Sequence, residues 1–153
     1  MTYLVEEEDE LYALKRGMIG HKISAIHVSG GGSQHVLTLD NGEKITVTGF
    51  GDCCARTSLH DITGLDKMIG PVVDIELDKY VRDGTSDDYC TDLLGYKIIT
   101  DHPEFGEVTT VFAGRSVHNG YYSGWFEFVL GEPRRQLKCD IEVPLDSEVW
   151  CIE

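Results

Sequence analysis

The sequence predicts an α+β fold, a single domain over residues 1–153. Its frame is mainly an antiparallel twisted sheet of about nine strands, with an N-terminal helix and a short second helix. Three observations predict it. Short runs of alternating apolar and polar residues recur along most of the chain. Turn signals such as Asn41-Gly42 and Asn119-Gly120 separate those runs. Helical spacing is confined to residues 8–19 and to a stretch near 63–69.

Residues 8–19 put Leu11, Leu14 and Met18 on one helical face, acids first and Lys15-Arg16 late, as a helix dipole favours. Gly20 stops that helix. A strand over 22–28 then places Ile23, Ala25 and His27 on one face and Ser24, Ile26 and Val28 on the other. Gly30-Gly31-Gly32 reads as a turn and not as a phosphate loop, because a strand follows where a helix would have to start. Strands 34–39 and 43–48 flank Asn41-Gly42. Residues 58–62 are extended. One or two helical turns follow, with Thr63 as cap, Leu65, Met68 and Ile69 inward, and Gly70-Pro71 as the stop. After a strand over 72–77, the polar stretch 80–92 reads as a mobile loop. Strands over 94–100, 107–113 and 121–130 come next, and 136–143 with 148–152 form a closing strand pair. His21, His27 and His35 fall in strand patterns without ligand spacing.

The charge narrows the functional classes. With 27 Asp and Glu against 13 Lys and Arg, the net charge is −14. Nucleic-acid binding needs clustered cations, and here Arg134-Arg135 is the only adjacent basic pair besides Lys15-Arg16. The acidic clusters lack the spacing of a calcium loop. No apolar run approaches the roughly 20 residues of a membrane span, and the acidic start is unlike a signal peptide. Five cysteines, an odd number, point to a reducing compartment, hence to the cytoplasm. Cys139 and Cys151 lie in alternating stretches where a buried thiol packs as a small hydrophobe.

Two separated stretches carry a resemblance. Gly51-Asp52-Cys53-Cys54 is followed by Leu59-His60-Asp61-Ile62, by Gly64-Leu65-Asp66-Lys67-Met68-Ile69-Gly70, and by the strand Val72-Val73-Asp74-Ile75-Glu76. Asn119-Gly120-Tyr121-Tyr122-Ser123 comes later. In this order they resemble a family of small uncharacterised bacteriophage and prophage proteins, a domain of unknown function. The resemblance spans residues 17–130, leaving 1–16 as an N-terminal extension and 131–153 as the C-terminal strand pair. The chain departs from the family pattern at Ala55-Arg56-Thr57, and at Leu65, which stands where an acid is usual. The resemblance implies a phage-encoded protein in the bacterial cytoplasm and no catalytic residues.

Two surfaces are candidates for binding. One is Asp52, Cys53, Cys54 and His60. Adjacent cysteines are awkward tetrahedral ligands, so no metal and no cofactor is expected. The alternatives there are a site completed by Cys90 or His102, Cys54 as nucleophile with His60 as base and Asp61 behind it, or a vicinal disulfide. The other is the Asn119 turn, where Tyr122, Gly124, Phe126 and Phe128 would face the core and Tyr121 and Trp125 the outside. Arg115 and His118 just before it could hold an anion. The expectation is a non-enzymatic accessory protein that binds a host protein or a small signalling molecule, away from nucleic acid and membrane. A cysteine-dependent enzyme or metalloprotein at Cys53, Cys54 and His60, or a minor virion component, is the alternative.

Overall fold

A computed structural model describes residues 2–4, 8–51, 55–85, 90–118 and 124–152. Eleven strands lie among them: β1 Thr2–Leu4, β2 Ile23–Val28, β3 Gln34–Leu39, β4 Lys44–Gly51, β5 Arg56–Thr63, β6 Val72–Thr85, β7 Cys90–His102, β8 Gly106–His118, β9 Gly124–Leu130, β10 Ile141–Glu142 and β11 Val149–Cys151. They form two antiparallel sheets, not one. The first has the order β1-β9-β4-β3-β2-β10 and the second β11-β5-β8-β7-β6.

One apolar core fills the space between the sheets, with Leu37, Ile45, Val47, Phe126 and Phe128 from the first and Leu59, Ile62, Ile75, Tyr96, Ile98 and Phe112 from the second. Tyr96 stacks on Phe112 with centroids 4.6 Å apart and meets Phe128 edge-on at 5.1 Å. The alternation expected for β9 is seen in its described part. Gly124, Phe126 and Phe128 are buried, while Trp125 and Glu127 sit on the outer face. Where β4 swings towards β5, the layers come very close. A Cβ on Gly49 would stand 2.0 Å from the Thr57 carbonyl oxygen, so only glycine fits.

Helix α1, Glu8–Met18, lies against β1, β6 and β9 and buries Leu14 and Met18, and its Lys15 pairs with Asp74 at 2.8 Å. No helix among the described residues is long and apolar enough to cross a membrane. The β3–β4 hairpin forms as Asn41-Gly42 predicts, with Gly42 at φ 88°.

Several expectations are corrected. The second helix is a single 3-10 turn, Leu65–Lys67. Gly64 at φ 85° opens it in place of Thr63, which ends β5, and Ile69 is exposed while Leu65 and Met68 are buried. The fold is therefore sheet-rich, with one α-helix among the described residues. A bulge between Ile23 and Ala25 shifts the parity of β2, so Ile23 shares the inside with Ile26 and Val28. The stretch 80–92 is not a loop on either flank. β6 continues to Thr85 and β7 begins at Cys90, and only 86–89 lie outside the described residues. β6 is an edge strand with irregular register at 72–74, 78–81 and 82–84, so no clean alternation marks it.

The closing strands do not pair with each other. β10 adds to β2 and β11 to β5, in different sheets, and Val143 and Leu145 pack into the core where the chain crosses between them. Cys139 is half-buried, but Cys151 is exposed, because on β11 it is Trp150, with Ile152 just beyond the strand, that packs inward. β1 was not anticipated.

Candidate functional site

The outer face of the first sheet is floored by β3, β4 and β9. Antiparallel register sets Phe50 beside Trp125, Thr48 beside Glu127 and Thr46 beside Val129. Over this face runs an irregular strap, residues 131–140, which leaves β9 at Gly131 with φ 100° and joins β10.

One buried side chain fixes the strap. The Gln34 amide nitrogen donates to Thr48 Oγ1 at 2.9 Å and to the Arg135 carbonyl at 3.0 Å. Its amide oxygen accepts from the Leu137 N–H at 2.9 Å and from Gln136 Nε2 at 3.2 Å. Gln34 is fully buried, and such burial is tolerable because both ends of the amide are satisfied.

Strap and floor enclose a groove of about 670 Å³. Arg134 and Arg135 line it together with Phe50, Thr48, Glu127 and Leu137. Phe50 stacks on Trp125, centroids 6.4 Å apart, and the Trp125 indole N–H donates to Glu127 at 3.3 Å. Among the described residues neither arginine has a carboxylate within ion-pair distance. This volume suits a small organic molecule, and the lining mixes an aromatic wall, hydroxyls, a carboxylate and two guanidinium groups.

Of the residues singled out from the sequence, Asp52, Cys53, Cys54, Asn119 and Tyr121 lie outside the described residues. His60 is half-buried at a bulge in β5 and falls out of register between Leu59–Gly114 and Asp61–Ala113. Its carbonyl accepts from the Ile152 N–H at 2.9 Å. His102 cannot join it in a metal set. It pairs with Gly106, seven residues along β8 from Ala113, a separation of roughly 23 Å. Arg115 and His118 also part company, since three residues along β8 they fall on opposite faces. Arg115 is exposed on the outer face of the second sheet. His118 is buried on the inner face, its Nε2 against the Asp92 carboxylate. Ser116 and Thr57 continue that buried polar group, with their hydroxyls 3.0 Å apart. Of the described candidates, Trp125 comes nearest the groove, through its stacking on the lining residue Phe50.

The profile of a protein family described as a domain of unknown function, DUF7448, matches residues 16–128. The chain belongs to this family. No curated protein and no solved structure matches it. The DUF7448 segment contains the whole groove floor apart from Val129, whereas the strap with Arg134 and Arg135 lies beyond it. In the sequence those arginines stand out only as an adjacent basic pair. No local pattern announces Gln34, because its partners in the strap lie about 100 positions away in sequence.

Proposed function

We propose that this DUF7448 chain is a non-enzymatic binding protein, a phage-encoded accessory factor that takes a small molecule into the groove beneath its strap. The phage assignment is supported by the order and spacing of the Asp-Cys-Cys and Asn-Gly-Tyr-Tyr-Ser motifs. The binding assignment rests on one observation. Two arginines without acidic partners among the described residues are held by a buried glutamine over an aromatic-walled groove of about 670 Å³.

A thermal-shift screen of metabolites against wild type and the Arg134→Ala/Arg135→Ala double variant tests this reading. Binding in the groove gives compounds that raise the melting temperature of the wild type and not of the variant. If no compound separates the two proteins, the reading fails. Turnover abolished by Cys54→Ala, or stoichiometric zinc in protein purified without a metal-binding tag, would favour the enzyme or metalloprotein instead. Presence in purified particles would favour a virion component.

A further inference from the structure

Resting on that binding reading, we infer that the groove's ligand is a nucleotide, its base against Phe50 and its phosphate under Arg134 and Arg135. The Phe50 ring is 41% exposed, and Trp125 backs it from the neighbouring strand. An aromatic face supported in this way offers a flat surface to another ring without first having to be ordered. Arginine recognises phosphate oxygens through its planar fork of donors, and neither guanidinium group is ion-paired among the described residues. The Glu127 carboxylate and the Thr48 hydroxyl, side by side in register, line the same groove. Glu127 can accept from a sugar hydroxyl or a base amino group. Thr48 already accepts from Gln34 and keeps its own proton to donate.

Each simpler ligand leaves part of the lining unexplained. A bare anion has no use for the aromatic wall, and a neutral aromatic molecule has none for the arginines. A polynucleotide is opposed by the net charge of −14, which repels an extended polyanion while one basic pair still attracts one or two phosphates.

Isothermal titration with ATP, GTP, adenosine, inorganic phosphate and a short thymidine oligonucleotide tests the inference in phosphate-free buffer. The proteins are wild type, Arg134→Ala/Arg135→Ala and Phe50→Ala; all three substituted residues are exposed, and circular dichroism checks that each variant is folded. ATP or GTP binds the wild type. The double arginine variant weakens that binding about tenfold or more and leaves adenosine unchanged. Phe50→Ala weakens nucleotide and adenosine alike. Inorganic phosphate binding as tightly as the nucleotides, or the oligonucleotide binding more tightly than either, overturns the assignment. So does nucleotide binding indifferent to all the variants. If sugar phosphates or dicarboxylates bind through the arginines while nucleotides give no heat, the nucleotide inference falls and the groove reading stands. If nothing binds through them, both fall.

Discussion

His35 stands at the centre of the core, fully buried between the two sheets. Its Nε2 shares a 2.6 Å hydrogen bond with the Tyr96 hydroxyl, its ring stacks near Tyr96 and Phe112, and its Nδ1 has no hydrogen-bond partner among the described residues. Burial holds its pKa down at about 3, against 6.5 in the unfolded chain. Below about pH 6.5 the unfolded state therefore binds a proton that the folded state refuses. Stability falls by about 1.4 kcal/mol per pH unit from there towards pH 3. Urea titrations at pH 7 and pH 4.5 should show that loss, and His35→Gln should make the dependence shallower by nearly one proton. Tyr96→Phe, which deprives Nε2 of its partner, should cost about 1–3 kcal/mol at neutral pH. Asp92→Ala, which takes the carboxylate from buried His118, should cost on the order of 3 kcal/mol, read from the same urea midpoints. None of this was legible from spacing. A histidine inside an alternating run reads the same whether its face meets water or a second sheet, and alternation alone does not tell one sheet from two.

At the scale of elements, local signals carried as far as local causes reach. Asn41-Gly42 announced its hairpin because positive φ is a property of two residues, and residues 8–19 announced α1 because its buried side chains repeat along one face. Bulges defeated the same reasoning at Ile23–Ala25, where one extra residue exchanges the faces, and along β6, where three irregularities interrupt the register. Of the candidate groove the sequence announced only a neighbour of its lining. Trp125 reads as outward because Phe126 and Phe128 face in, but the strap depends on Gln34, whose five side-chain partners converge only after folding. Gln34→Leu should strand the Leu137 N–H and the Arg135 carbonyl and cost about 2 kcal/mol. Hydrogen exchange at residues 135–139 should then quicken while β7 and β8 stay protected, and ligand affinity should fall although no lining side chain has changed.

For the whole molecule, a charge of −14 on one small domain makes self-repulsion a standing cost, relieved when salt screens it. Raising sodium chloride from about 10 to about 200 mM should therefore raise the melting temperature, and a fall would show that specific ion pairs such as Lys15–Asp74 outweigh the repulsion. The sheets themselves are joined by the C-terminal stretch, which gives β10 to one layer and β11 to the other. Sliding one layer over the other would have to tear off at least one of those edges, so the crossing makes the sandwich stiff in shear. The strap runs directly into β10, and its arginines are thereby anchored to a frame that cannot drift beneath them.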